Sequence, residues 1–199
     1  MNAMNVMPLT VVAIATPVAV GAALWLAGGE AGARGAARRG VLAVDRVVTG
    51  AAMIAACAAL AIATAAGFWQ VVARFVLDSP AAWSEALVRT ALIWMCFMGL
   101  AGTLRVGALV SIDVAHRYSR GAVRRAVEAA ALAANLSLMG VLFWFGWAMA
   151  QRVQFQEMAG LEVSMSWGYA AIPVGAAFAM LGAFAHMLDR RAEELDNAV

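Results

Sequence analysis

The residues best suited to metal, haem or redox chemistry are two cysteines and two histidines, and their positions argue against such chemistry. Cys57 and Cys96 both lie inside apolar runs, and the sequence has no CxxC pair. Thiol chemistry needs cysteines near a water boundary, so these two are expected to be small packing residues. His116 lies in a polar loop and His186 near the end of the last apolar run, whereas a membrane haem needs histidines that face each other. The sequence therefore predicts no catalytic residue, no metal site and no cofactor.

Ionisable residues inside membrane spans would indicate a transport pathway, and the centres of the apolar runs contain none. Carriers place charged groups or interrupted helices near the middle of the bilayer. The most polar residues in these runs are Thr64, Asn135 and Ser137. Such side chains usually stabilise helix contacts, by about 0.6–2 kcal/mol each. These residues therefore predict a structural helix bundle that binds other membrane helices.

Composition identifies the elements that position these residues as membrane helices. Of the 199 residues, 64% are hydrophobic and 13% are charged. A soluble domain has about 25% charged residues, and a disordered chain has low hydrophobicity, so both classes are excluded. All 14 basic residues are arginines, the formal charge is +2, and no basic block indicates binding to nucleic acid.

Four apolar runs are long enough to cross a bilayer, since a helical span needs about 20 residues. These runs are residues 47–73, 86–104, 126–150 and 168–188. The expected fold is an all-α integral membrane protein, a four-helix transmembrane bundle. The apolar run at 6–27 is either an additional span, which would add an N-terminal apolar helix to the bundle, or a poorly ordered leader. Residues 28–46, rich in Gly, Ala and Arg, are predicted to be a linker.

Local patterns predict how the first two spans pack and begin. Small residues recur at every fourth position of the first span, at Ala51, Ala55, Ala59, Ala63 and Gly67. This row is either a ridge for close helix packing in lipid or a chance product of an alanine-rich segment. Ser79 before Pro80 predicts a helix start with Ser79 as the N-cap. Glu85 and Arg89 are four residues apart and can pair on one helical face.

The distribution of arginines predicts the orientation of the spans. Residues 28–46 contain four arginines, residues 105–125 contain five, and the C-terminal tail contains two. Residues 74–89 contain two and residues 151–167 contain one. Basic residues stay on the cytoplasmic side of a membrane. We therefore expect a multi-pass protein of the bacterial inner membrane with a cytoplasmic C-terminus.

Three motifs, in this order on four spans, resemble the small membrane subunit of tripartite ATP-independent periplasmic (TRAP) transporters, the DctQ-type permease. The matching residues are Arg74, Pro80, Trp83, Ser84, Glu85 and Arg89 after the first span, Arg105, Gly107 and Asp113 after the second, and Trp167, Tyr169, Pro173 and Gly175 at the last. The family's second glutamate is Ala86 here, and the histidine of its second motif is Leu109. The resemblance covers residues 45–190.

The resemblance implies a function and partners. Such a subunit lies beside a large multi-span permease, anchors its stationary part, and supports sodium-coupled uptake of an organic acid that a periplasmic receptor delivers. Its domain division would be residues 1–40, the N-terminal apolar segment and linker, residues 41–191, the small permease domain, and residues 192–199, a short acidic tail. The partners would be the large permease subunit, the periplasmic solute receptor and the lipid bilayer. The alternative function is a stand-alone homo-oligomeric exporter or channel.

The resemblance also suggests roles for the matched residues. Glu85, with Arg89 or Arg74, either forms an ion network that contacts the partner or is a simple pair at a helix start. Arg105 and Asp113 either order the cytoplasmic turn or anchor it at the membrane surface. Trp83 and Trp167 would be aromatic residues of the membrane boundary. Pro173 and Gly175 predict a kink that shapes helix packing in the last span.

Overall fold

The computed structural model describes residues 7–27, 33–79, 81–106 and 122–196, and nearly all of them are helical. The helices are α1 (Met7–Ala27), α2 (Ala33–Phe75), α3 (Ala82–Val106), α4 (Ala122–Arg152), α5 (Ser166–Tyr169) and α6 (Ala171–Asp196). By length and composition, α2, α3, α4 and the α5–α6 unit can each cross a membrane, and α1 is a shorter apolar helix. The predicted fold, a four-span helical bundle with an additional N-terminal apolar helix, is confirmed.

Helix α6 is the centre of the bundle. It packs between α3 and α4 and also touches α1 and α2, while α2 packs mainly on α3 and α1 mainly on α4. More than half of its apolar segment is buried within the protein, against less than a third for each of the other spans. The outer helices therefore present most of their apolar surface to their surroundings, as expected of helices in lipid.

Glycines let the backbone of α6 touch the backbone of α3. A Cβ atom on Gly175 would lie 2.5 Å from the Cβ of Phe97 and 2.7 Å from its carbonyl oxygen. A Cβ on Gly182 would lie 2.9 Å from the carbonyl oxygen of Ala101. Helix association in lipid depends on such close packing, because lipid tails are as apolar as the side chains they would replace.

Helix α2 packs on α3 through alanines, and only part of the row that the sequence suggested takes part: Ala63 is buried and Gly67 lies against Val88. Ala51 and Ala55 are exposed. The buried alanines of α2 are Ala52, Ala56, Ala63, Ala66 and Ala73. Successive members are separated by four, seven, three and seven residues, which is the spacing of a seven-residue repeat. Helices that wind around each other with a left-handed twist have this repeat. The contact stripe therefore follows a 3.5-residue period rather than steps of four.

The segment predicted as a linker is largely helical. Residues 33–46 form the first turns of α2, about 21 Å of helix at 1.5 Å per residue. Alanine and arginine have high helix propensity, and the segment runs without a break into the apolar part of α2. At 43 residues, α2 is about 64 Å long, roughly twice the thickness of the hydrocarbon core, so one part of it extends beyond the membrane.

The N-terminal apolar run is an ordered helix in contact with the bundle. Val12 of α1 lies against Gly140 of α4, where a Cβ would be 3.3 Å from the valine methyl group. Ala23 is fully buried in the core. The other buried members of this core are Leu104, Leu132, Leu136, Met139, Ala176, Ala179, Ala183 and Met187, which come from α3, α4 and α6. Residues 7–27 therefore form an additional apolar helix, whose apolar part is shorter than the four candidate spans.

We expect Gly175→Ala to destabilise the bundle by about 1–3 kcal/mol, the usual cost of overpacking. The added methyl group would overlap the backbone of Phe97, which outweighs the gain of about 1 kcal/mol in helix propensity. Gly99→Ala is the matched control, because no atom lies within 4 Å of its added Cβ. Thermal unfolding in detergent, followed by tryptophan fluorescence, measures the difference. Equal melting temperatures for the two variants would show that this backbone contact is unimportant.

Candidate functional site

The end of α3 carries a charged group that joins three helices, here named the Arg105 cluster (Arg105, Asp45 and Asp189). The Nε atom of Arg105 donates a hydrogen bond to Oδ2 of Asp45 on α2. Its Nη2 atom donates to Oδ2 of Asp189 on α6. The Asp45 side chain is fully buried, whereas 26% of the Arg105 side chain is exposed. One guanidinium group therefore fixes the positions of α2, α3 and α6 at this end of the bundle.

Two further side chains complete the environment of this cluster. The Thr49 hydroxyl donates to the second carboxylate oxygen of Asp45, at 3.1 Å. The Nδ1 atom of His186 lies 3.0 Å from the carbonyl oxygen of Arg105, so a proton on Nδ1 makes this a hydrogen bond. A buried carboxylate needs such partners, since burying an unpaired charge costs several kcal/mol. The arrangement holds α2, α3 and α6 together.

The sequence singled out Arg105 but missed the residues that bind it. Gly107 and Asp113, the other members of its motif, lie outside the described residues. Asp45 and Asp189 are far from Arg105 in sequence, and neither belongs to one of the three motifs. Their placement could have identified them, because two acids and one base lie at the ends of three apolar runs that are expected on the same side of the membrane.

The opposite end of the bundle, here named the loop end, comprises the described residues of 74–89 and residues 153–167. Ser84 is fully buried, and its hydroxyl donates to the carbonyl oxygen of Ala81 at 2.7 Å. Gly160 has φ +85° and packs on the start of α3, where a Cβ would lie 2.8 Å from the backbone nitrogen of Trp83. Only glycine adopts this conformation and allows this approach without strain. The 153–165 segment is thereby held against α3.

The predicted N-cap at Ser79 is wrong. Helix α3 begins at Ala82, and the backbone N–H of Ser79 donates to the carbonyl oxygen of Ala73, at the end of α2. Ser79 therefore satisfies the last turn of α2 rather than the first turn of α3. Pro80 lies outside the described residues.

Glu85 pairs with Arg89 along α3, at 2.8 Å. The two side chains are 63% and 71% exposed, so the pair contributes only about 0.3–0.5 kcal/mol to the stability of the chain. Arg74 is exposed on the last turn of α2, and Trp83 is 42% exposed. The structure contains an intrachain pair at a helix start, and all four of these side chains are exposed in this chain.

The residues matched in the last span lie at the α5–α6 junction. Trp167 is 65% exposed, and its carbonyl oxygen accepts a hydrogen bond from Nε1 of Trp94 on α3, at 3.0 Å. The regular helix is interrupted at Ala170. Pro173 follows three residues later and lacks the N–H group that would continue the helical hydrogen bonds. Pro173 is buried.

Close contacts fix Pro173 and its neighbours on both sides. A Cβ on Gly146 of α4 would lie 3.1 Å from Cδ of Pro173 and 2.7 Å from Cγ2 of Ile172. Gly175 touches Phe97 of α3, as described above. The proline and the two glycines therefore lie where α6 is pressed between α3 and α4.

The cysteines are not the packing residues expected from the sequence. Cys57 on α2 and Cys96 on α3 are both free and exposed on the surface of this chain. Cys57 lies on the exposed face of α2, whose buried face consists of alanines. Cys96 lies on the exposed face of α3, which packs on α6 with another face. Among the described residues, no three His, Cys, Asp or Glu side chains are grouped so as to hold a metal ion.

Comparison with known proteins yields one family and one relative. Residues 63–193 match the family model described as "Tripartite ATP-independent periplasmic transporters, DctQ component". The chain is also 31% identical over 110 residues to the sialic acid TRAP transporter small permease protein SiaQ of Vibrio cholerae serotype O1. That alignment covers 55% of this chain and 64% of the relative, which is less than two thirds of its length. The family match includes the last thirteen residues of α2, all of α3, α4 and α5, and most of α6.

We expect Arg105→Gln to destabilise the protein by about 3 kcal/mol, the lower end of the range for breaking a buried ion pair, because Asp45 would be buried without its partner. Arg89→Gln removes an exposed pair and serves as the control, with an expected loss of at most about 0.5 kcal/mol. Unfolding of the purified protein in detergent measures both values.

The double variant Asp45→Asn with Arg105→Gln tests the cause. It removes the uncompensated charge and should recover part of the stability lost in Arg105→Gln. A double variant that is no more stable than the single variant would mean that the buried charge of Asp45 is not the source of the loss.

Proposed function

This chain belongs to the DctQ family, the small permease subunits of TRAP transporters in the bacterial inner membrane, and we propose that it holds a large permease subunit in place during transport. The large subunit would carry the solute and the coupling sodium ion. A periplasmic receptor would deliver the solute, an organic acid. The C-terminus of this chain would lie in the cytoplasm, as its arginine distribution suggests.

The observation that carries this proposal is the absence of charge along the middle of every span. No Asp, Glu, Lys or Arg occurs in residues 47–73, 90–104, 129–151 or 163–188. A carboxylate or a sodium ion that crosses the membrane needs charged groups or freed backbone oxygens near the midplane. This chain offers neither charge there nor a span broken at its centre, since the interruption at Ala170 lies near the loop end. Its contribution to transport is therefore structural.

The contacts within the bundle suit a subunit that stays fixed while a partner moves. The Arg105 cluster joins α2, α3 and α6 at one end. Gly160 packs on the start of α3 at the other end, and Gly175 and Gly182 bring the backbones of α6 and α3 together between them. Relative sliding of these helices would break several contacts at once. The bundle is therefore stiff along its whole length.

The surface that contacts the large subunit is proposed to include exposed residues at the loop end. These residues are Arg74, Trp83, Glu85, Arg89 and Trp167. Aromatic and arginine side chains are frequent anchors of protein interfaces. The organic acid class rests on the relative, whose name gives sialic acid as the solute of its transporter. The identity of the solute would be determined by the other subunits.

Co-expression with a candidate large permease and its receptor tests the proposal. We expect this chain to co-purify with the large permease in mild detergent. In proteoliposomes, sodium-driven solute uptake should require the receptor and both membrane subunits. Uptake by liposomes that contain this chain alone would instead support the stand-alone exporter or channel. Isolation from its native membrane only as a homo-oligomer would also contradict the proposal.

Within that complex, we expect Glu85→Ala to lower the yield of co-purified large subunit more than Glu193→Ala does. Glu85 is exposed at the loop end, whereas Glu193 lies in the last turn of α6, six residues before the end of the sequence. Because the Glu85–Arg89 pair adds little to the stability of the isolated chain, its loss should act mainly on the complex. Equal yields for the two variants would remove Glu85 from the proposed interface.

A further inference from the structure

A cavity of about 480 Å³ lies at the loop end, between α3, the 153–165 segment and the α5–α6 junction. We propose that it binds one acyl chain of a membrane phospholipid, with the phosphate group of that lipid held by Arg89. This site is separate from the Arg105 cluster. It shares Glu85 and Arg89 with the surface proposed to contact the large subunit, so lipid binding is tested on this chain alone.

The walls of the cavity are predominantly apolar. The residues deepest along the helices are Ile93 and Phe97 of α3 and Ile172 of α6, with Met158 and Met165 from the segment that covers the cavity. The one hydroxyl on the α3 wall, that of Thr90, is already engaged, because it donates to the carbonyl oxygen of Ala86 at 2.9 Å. A space of this kind inside a membrane favours hydrocarbon over water.

The length of the cavity matches one leaflet of the bilayer. From Glu85 at its mouth to Phe97 at its floor, α3 rises twelve residues, or about 18 Å. Half of the hydrocarbon core is about 15 Å thick. The cavity ends where Gly175 of α6 contacts Phe97 of α3. From there toward the loop end, it lies between α3 on one side and the 153–165 segment with the α5–α6 junction on the other. An acyl chain that enters at the membrane surface would therefore end where the helices meet.

Charges at the mouth match a phospholipid headgroup. Arg89 and Glu85 line the cavity and are largely exposed at the end of α3 where the membrane surface is expected. An arginine guanidinium binds phosphate oxygens with two parallel hydrogen bonds. Its present pairing with Glu85 is a weak exposed contact, so a phosphate can compete for it. Glu85 then remains available for the ammonium group of an ethanolamine headgroup.

The dimensions argue against a protein segment as the occupant. A helix has a diameter of about 10 Å with its side chains, so 18 Å of helix would need about 1,400 Å³. The cavity offers about a third of that volume. A single side chain, in turn, is too short to fill 18 Å. A single hydrocarbon chain fits both the length and the volume.

Native mass spectrometry of the full chain, purified in detergent and titrated with dioleoyl phosphatidylethanolamine, tests the proposal. We expect one lipid to bind with saturation. Ala86→Phe fills the upper part of the cavity and should weaken binding about tenfold, equivalent to 1.4 kcal/mol. Leu92→Phe is the matched control: Leu92 is exposed on the same helix outside the cavity, and its substitution should leave binding unchanged.

The role of the phosphate is tested with Arg89→Gln and a second probe, dioleoylglycerol, which has the same acyl chains but no phosphate. The variant should bind the phospholipid about tenfold more weakly and bind dioleoylglycerol as the original chain does. Since Arg89 is exposed, this variant remains informative even if Ala86→Phe fails to fold.

Three results would overturn the proposal. They are equal lipid binding by Ala86→Phe and the original chain, equal binding of the phospholipid before and after loss of Arg89, and a photo-crosslinker at position 93 that captures a partner polypeptide in the assembled complex. The first two measurements use this chain alone. A failed lipid site is therefore distinguishable from a failed subunit assignment, which is judged by co-purification.

Discussion

Backbone contact between α6 and its neighbours is the constraint on which the rest of the structure depends. In lipid, burying an apolar side chain against another helix gains little, because the alternative neighbour is equally apolar. The bundle therefore relies on how closely helices approach. Gly175 and Gly182 bring α6 onto α3, and Gly146 brings α4 onto Ile172 and Pro173. These contacts place α6 at the centre, where it is the most buried span.

Two of the other features follow from that central position. The carboxyl end of α6 carries Asp189 to Arg105, and α2 supplies Asp45 from the other side, so the guanidinium group has a carboxylate on each of two helices. At the loop end, α3 and α6 touch at Gly175 and are separated by a cavity beyond it. The same contact therefore sets both the alignment of charges at one end and the space for a ligand at the other.

This arrangement suits a small permease subunit. The ionised side chains lie toward the two ends of the spans and the middle of each span is uncharged, which is the basis of the supporting role proposed above. Burial of the Asp45 carboxylate costs free energy, which its ion pair with Arg105 offsets. Conversely, the exposed pair of Glu85 and Arg89 adds little to folding. Residues of this kind are free to serve in contacts with lipid or with another subunit.

The sequence by itself determined the fold class, the four spans and the family. Transfer of a helix into lipid depends on the sum of its own residues, so composition and length were enough. The motif that contains Arg74 and Glu85 and the motif that contains Trp167 are each local in sequence. The sequence did not show what those side chains contact. Only the tertiary structure decided that residues 33–46 extend α2, that Ala52 and Ala56 rather than Ala51 and Ala55 face α3, and that Arg105 binds Asp45 and Asp189. The last two depend on the rotation and offset of one helix against another, which contacts between residues distant in the chain determine. Several faces of an alanine-rich helix carry small residues, so the sequence alone does not select the face that packs.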